Sequence, residues 1–594
     1  MLKYFKIWCF LSILLGFMVM GFRPENKALA LSETYKENLT KFQKTANLLQ
    51  QTAKKGSSHE IKNLFINLRT DYKTLECIVE YYYPKTAAKL NGPPLPESEP
   101  SEPEVIIYPT GLQVLEAYVY DDLTDDNREL ILTEISNIKT AIEYLILNAE
   151  SLKFKDEEVF EALKLQLFRI ATKGLAGFDS PLANTAISEI RTNLEAIHSL
   201  MLNYPYNDEV TVKIKAAIGF INTTTLDFNE FNRAVFLTVY LNPLAETFEA
   251  YQKQNHIADV TEQRLTDYRK WNLFAKNIFQ ADYLAPEDNK NADTLQIALG
   301  KMLFYETALS SNGKRSCASC HHPDKAFTDA LALNQSLDGE TVLARNTPTL
   351  LHAGLNPVQF YDSRVAFLED QIHDVVSNRT EMDGNLETIS LRLKEKNHYL
   401  SAFKKAYGAK PSPSFIKKAL ASYVRSLVFL NSSFDHYMQG EKEALNTQEL
   451  AGFNLFMGKG KCGSCHFLPL FSGTVPPLFE KMESEVLGVP ANTDTINAKI
   501  DADLGKYNLY KIPHQKHAFK TPSLRNIALT APYMHNGVYQ TLDEVVDFYN
   551  KGGGAGLGII LENQTLSPDK LQLSETEKKQ LIAFLNALTD KAVY

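Results

Sequence analysis

The sequence predicts a mainly α-helical protein: an N-terminal helical bundle, then two helical domains, each organised around one short cysteine-histidine motif. Three observations predict it. From about residue 33 to 270, apolar side chains recur at three- and four-residue spacing and strand signals are few. Near Ala285 the chain changes character. The remaining half carries Cys317-Ala318-Ser319-Cys320-His321 and Cys462-Gly463-Ser464-Cys465-His466.

Each motif is a C-x-x-C-H. At this spacing two thiols bond covalently to the vinyl groups of one haem, and the next histidine ligates its iron. A zinc ribbon or a disulfide-paired turn would share the C-x-x-C but has no reason to set histidine directly after both copies. The two units use four of the six cysteines and imply two covalently bound haem c groups.

The chain begins with Lys3 and Lys6, then an apolar run from Ile7 to Phe22, then Ala28-Leu29-Ala30. That pattern reads as a secretory signal peptide over residues 1–30, because the run is short of the roughly 20 residues of a spanning helix. An uncleaved membrane anchor is the alternative. Export suits haem attachment outside the bacterial cytoplasm, so a periplasmic protein is expected. The whole chain carries a net −9, and the first thirty residues carry +3, leaving −12 for the remainder. An acidic surface argues against nucleic acid and suits a basic partner such as a small cytochrome c, or serves only solubility. Cys9 lies in the apolar run, and Cys77 reads as an inert buried thiol.

The bundle is expected over residues 31–275. Asp126 to Leu152 spaces Leu130, Ile131, Ile135, Ile138, Ile142 and Leu145 helically; Val159 to Leu175 and Ala186 to Leu202 repeat the style. Pro93 to Glu104 reads as an exposed loop, and Tyr81-Tyr82-Tyr83 as packing. Gly111-Leu112-Gln113-Val114-Leu115-Glu116 weakly resembles the Gly-x-His-x-x-Glu stretch of imelysin-like periplasmic proteins. Gln113 replaces the histidine, which removes the best ligand, so Glu116 is expected as a packed polar residue. Near the end, Ser574-Glu575-Thr576-Glu577 is a capping box before a helix over 578–588.

In the second half, Leu299-Gly300-Lys301-Met302-Leu303-Phe304 precedes the first motif. Pro323 to Asp329, Arg345-Asn346-Thr347-Pro348-Thr349-Leu350 and Phe360-Tyr361-Asp362-Ser363-Arg364 follow it. After the second motif come Thr521-Pro522-Ser523-Leu524-Arg525-Asn526 and Leu529 to Gly537. These boxes, in this order, resemble the bacterial di-haem cytochrome c peroxidase family, which includes the MauG enzymes. The resemblance covers about residues 280–592. It implies two cytochrome-c-like domains, a peroxidatic one over 280–440 and an electron-transfer one over 441–594, meeting at a calcium ion.

The resemblance also implies roles. At the first haem His321 is the proximal ligand, Glu381 moves a proton between the peroxide oxygens, and Gln371 holds the ligand, with Met382 alongside. A carboxyl buried there should have a raised pKa. Family members that need reductive activation carry a blocking histidine in the loop before Arg-Asn-x-Pro-Thr. Here residues 334–344 contain none, so the first iron is expected to stay open, as in MauG. Tyr361 stands where the family usually has tryptophan between the haems, and relays an electron or simply packs. At the second haem His466 is one ligand and Tyr549 the aligned second, with Met534 as competitor. Asn346, Thr530 and Pro532 correspond to the calcium oxygens.

The expected activity is a periplasmic peroxidase reducing hydrogen peroxide with electrons from a small cytochrome c or similar protein. The alternatives are a MauG-like oxidase of a protein or small-molecule substrate, a non-catalytic electron carrier, and a haem-bearing partner in metal uptake. Family members are often homodimers.

Overall fold

The computed structural model describes residues 24–98, 102, 105–494 and 496–591. Cys9 and the apolar run to Phe22 lie outside the described residues, as does most of the expected signal peptide. No helix among the described residues is long and apolar enough to cross a membrane.

The bundle opens with α1 (Pro24–Ala53), which runs through Ala28–Ala30. Leu31, Tyr35, Leu39, Phe42, Ala46 and Leu49 form its buried stripe, one face of a 3.6-residue helix. Lys27 ties its first turns to Asp156 at 2.6 Å. Next come α2 (Ser58–Tyr82), started by a Ser57/Glu60 capping box, α3 (Pro84–Asn91), α4 (Leu112–Tyr120) and α5 (Asp125–Ala149). On α5 the expected stripe from Ile131 to Leu145 is buried, but Leu130, one step off it, is exposed. The helix expected over 159–175 is α6 (Asp156–Arg169), which widens into a π-helical turn at Ile170–Gly174. Then follow α7 (Ala186–Met201), α8 (Asp208–Thr223), a second π-helical turn at Phe236–Leu241, and α9 (Asn242–Gln254). Tyr82 packs edge-on to Phe154, and burial pushes the Cys77 thiol up to about 12.

The first haem region contains α10 (Thr294–Phe304), α11 (Leu368–Ser377), α12 (Leu386–Lys394), α13 (Asn397–Tyr407) and α14 (Pro413–Arg425). The second contains α15 (Ser433–Met438), α16 (Thr447–Met457), α17 (Leu542–Asn550) and α18 (Glu575–Asn586). Ser574 and Glu577 cap α18 reciprocally, so the helix begins three residues before the expected Lys578. A two-residue antiparallel pair, β1 (Ser484–Glu485) with β2 (Phe519–Lys520), is the one sheet among the described residues.

One joint recurs in both haem regions. A Cβ added at Gly300 on α10 would lie 1.9 Å from the Ala419 carbonyl oxygen of α14. One at Gly452 on α16 would lie 2.0 Å from that of Gln580 on α18. In each region the helix before the haem motif crosses the last helix so closely that only glycine fits.

Apolar burial is unevenly divided. Leu299, Leu303, Phe304, Ile416 and Leu420 belong to a core of the first haem region alone. The bundle and the second haem region share one continuous core. Phe178 meets Phe467 at 5.5 Å between ring centroids, just past the second motif. Ala176 closes over Gly463 inside that motif.

Candidate active site

Both motifs fold as tight turns, Cys317–Ser319 and Cys462–Ser464. All four cysteines are free thiols, which removes the disulfide reading. The His321 backbone N–H donates to Cys317 O at 2.9 Å, and its ring Nδ1–H donates to Phe327 O at 2.9 Å. A carbonyl can only accept, so the proton sits on Nδ1 and the Nε2 lone pair is left for a metal. His466 repeats the arrangement: its backbone N–H donates to Cys462 O, and Nδ1–H faces Pro522 O at 3.1 Å and Phe471 O at 3.2 Å. Burial holds His321 below the usual histidine range and pushes His466 down to about 4. Two adjacent free thiols and a neutral, oriented imidazole are the donor set of a c-type haem, so the residues fit the group at both positions.

Beside the first motif lies Glu381. Asn378 Nδ2 donates to its Oε1 at 2.8 Å, and burial raises its carboxyl above the usual range against the opposing charges of Arg364 and Arg315. Burial raises the Cys320 thiol, Arg315 opposes, and the charges of Asp329 and Glu381 add to it. The acid is therefore within electrostatic reach of the motif. Gln371 is half-buried on α11, and Met382 is buried next to Glu381.

Loop 334–344 is folded on itself. Ser336 N donates to Thr341 O and Leu343 N to Asn334 O. Asn334 Nδ2 reaches Asp329 at 2.7 Å and the Cys320 sulfur at 3.5 Å. Leu337 N donates to Thr380 O at 2.7 Å, joining the loop to the Glu381 segment.

Tyr361 sits at the seam of the two haem regions. Its carbonyl accepts from Lys520 N at 2.7 Å, while its hydroxyl, pushed up by burial, reaches, among the described residues, only Asn346 Oδ1 at 3.5 Å. An amide oxygen does not take up a proton at neutral pH, so that contact offers the phenol no base. Asn346 Nδ2 donates to Leu331 O and Ala332 O, turning Oδ1 the other way. The Thr530 and Pro532 carbonyls accept no hydrogen bond among the described residues. An amide oxygen and two free carbonyls are hard donors of the kind calcium takes.

At the second motif, Tyr549 lies on α17 with its phenol driven far up by burial and, next, by Cys465 and Cys462. The phenol is thus at the motif. Met534 is half-buried in the turn closed by Tyr533 N and Tyr539 O, packed on the shared core. In the bundle Glu116 is fully buried; Ala183 N donates to its Oε1, Oε2 has no hydrogen-bond partner among the described residues, and burial pushes its carboxyl up to about 7.

Sequence reasoning missed the ion pairs that set the site. Arg345 Nε and NH2 donate to Asp503 at 2.6 and 3.1 Å, and NH1 donates to Asp362 at 2.7 Å, across the seam. Arg525 is bidentate to Asp435, 2.7 and 2.8 Å. His352 Nε2, buried and pushed down to about 4, lies 2.9 Å from Asp590. No local signal announces partners 158 or 90 positions apart.

A family model described as di-haem cytochrome c peroxidase matches residues 294–443. Cytochrome-c peroxidase IdrP2 of Denitromonas iodatirespirans is 35% identical over 326 residues, covering 52% of this chain and 86% of that protein. Methylamine utilization protein MauG of Methylorubrum extorquens is 31% identical over 295 residues, 49% of this chain and 78% of that one. An imelysin-like protein from Psychrobacter arcticum aligns in structure with 39% of this chain and 95% of its own, at 12% identity and a TM-score of 0.32. That likeness is too slight to assign the bundle to a fold family.

Proposed function

The chain belongs to the di-haem cytochrome c peroxidase family, and we propose that it is a periplasmic peroxidase reducing hydrogen peroxide to water with electrons from a small redox protein such as a cytochrome c. Membership in the family implies two c-type haems, and Cys317, Cys320 and His321, with Cys462, Cys465 and His466, are the residues that would hold them. When bound, the first haem would supply redox-active iron for peroxide reduction and the second a one-electron store.

The reading is carried by one observation: a half-buried carboxyl, Glu381, raised above the usual range by desolvation and with its Oε1 steadied by Asn378, beside the first motif. Such a group can accept a proton from one peroxide oxygen and return it to the other. Gln371 orients the substrate, and Tyr361 stands between the two centres as relay or spacer. With His466, Tyr549 would be the second protein ligand of the second haem, with Met534 the alternative. Asn346, Thr530 and Pro532 would hold a calcium ion at the seam. The chain divides at 31–275, 280–440 and 441–594, and residues 1–30 direct export.

A second reading, a MauG-like oxidase, draws on the closeness of Tyr549 to Cys462 and Cys465 and on the loop that lacks a histidine. The test is a spectral titration of the oxidised holoprotein with hydrogen peroxide, then turnover with reduced cytochrome c. Peroxide-dependent oxidation of the cytochrome supports the peroxidase. A prompt change at one equivalent that persists, with no cytochrome turnover, favours the oxidase. A protein inert to both peroxide and cyanide would be an electron carrier, and the reading falls.

A further inference from the structure

Arg315 stands two residues before the first motif, and its guanidinium is spent on backbone carbonyls. NH1 donates to Glu381 O at 3.1 Å; NH2 donates to Gln335 O at 3.1 Å and Ser336 O at 3.0 Å. It joins none of the ion pairs found among the described residues. The three acceptors come from two segments far apart in sequence. One carries the half-buried Glu381 acid, and the other is loop 334–344, which lies against the first motif through Asn334 at Cys320.

We infer that Arg315 is a positioning residue: it clamps loop 334–344 and the Glu381 segment to the chain entering the first haem motif, and so holds the loop beside Cys320 and the Glu381 acid in place. The inference rests on the reading of Glu381 as the proton-moving group.

The geometry suits a clamp. Loop 334–344 closes on itself through the Ser336–Thr341 and Asn334–Leu343 bonds, with Gly339 at positive φ in its turn. Beyond itself it is fastened by Asn334 at Cys320, by the Leu337–Thr380 bond and by Arg315. Ser311 N also donates to Met382 O at 2.9 Å, so the Arg315 segment already lies along the Glu381 segment. A planar fork can serve carbonyls on both sides at once, whereas an ammonium is a point donor that cannot span them. Hydrogen bonds from a charged donor are the stronger kind, so losing the two to Gln335 and Ser336 should release the loop and losing the third should loosen the Glu381 segment. The cation also opposes the burial that raises the Glu381 carboxyl.

The two functions of the cation, fork and charge, are separable. Holoprotein variants Arg315→Met and Arg315→Lys are compared with the parent by hydrogen exchange at Leu337 and Thr341 and by kcat/KM for hydrogen peroxide across pH. A one-electron organic dye serves as donor. R315M should exchange faster at both amides and lose about tenfold or more in kcat/KM, the equivalent of one such bond. Its acid limb should move to higher pH, since an acid that must ionise has lost a nearby cation. R315K should keep the acid limb but share the fast exchange and most of the rate loss.

Unchanged exchange in R315M would overturn the clamp, and so would full restoration by lysine, which would leave charge alone as the cause. Should R315M bind no haem, R315K decides alone. Absence of peroxide turnover in the parent would sink the peroxidase reading, and exchange would still judge the clamp.

Discussion

Arg525 and Asp435 offer the sharpest test of how the second haem region is held. Arg525 has 1% of its side chain exposed and Asp435 9%. The guanidinium makes two bonds to the carboxylate, while Nε and NH2 also donate to Pro469 O, three residues past His466. Ser432 N and Oγ donate to the same carboxylate. One pair thus joins the Thr521–Asn526 box, α15 and the chain leaving the haem motif. Removing one partner strands a buried charge, and such losses run at about 3–5 kcal/mol. Arg525→Met and Asp435→Leu should each cost that much in guanidinium denaturation followed by far-ultraviolet circular dichroism. The double variant should cost less than the sum, because neither charge is then left alone, with a coupling of at least about 2 kcal/mol. Acid sharpens the test. Burial alone would raise the Asp435 carboxyl, but the guanidinium outweighs it and holds it below the usual value. Its stabilisation is therefore present above the unfolded carboxyl pKa, about 3.9, and lost as pH falls further toward the folded pKa. The parent should weaken over that window and the double variant less. Additive single costs, or singles below about 1 kcal/mol, would refute the reasoning.

Gly300→Ala and Gly452→Ala should each destabilise by about 1–3 kcal/mol or more. A Cβ about 2 Å from a backbone oxygen forces the helices apart and outweighs the roughly 1 kcal/mol helix propensity alanine adds; denaturation midpoints check this. Glu381→Gln should cut kcat for peroxide by about 10²–10⁴, the usual worth of a general acid-base group, while both haems still attach. Tyr549→Phe should alter the ferric spectrum of the second haem, and Met534→Leu should not; the reverse result would make Met534 the ligand. Glu116→Gln should flatten one pH slope. Because burial raises Glu116 to about 7, the folded chain holds a proton the unfolded one has lost between about 4.3 and 7. Stability therefore falls as pH rises through that window in the parent but not in the variant.

What the sequence determined alone is what short spacings encode. Two thiols and a histidine within five residues specify a haem attachment whatever lies around them, and the carbonyls that fix His321 and His466 include ones five or six residues on, at Phe471 and Phe327. The Ser574–Glu577 cap and the buried stripe of α5 are equally local, because a helix repeats its environment every 3.6 residues. Glu381 was legible only through the resemblance; nothing in its neighbours predicts that it lies beside the first motif with its carboxyl desolvated. Tertiary structure alone decided the rest. The single core shared by bundle and second haem region, the glycine joints at Gly300 and Gly452, and the seam of Arg345 with Asp362 and Asp503 each depend on which distant surfaces meet. Charge pairing and close packing are properties of two segments at once, and a linear pattern records only one of them.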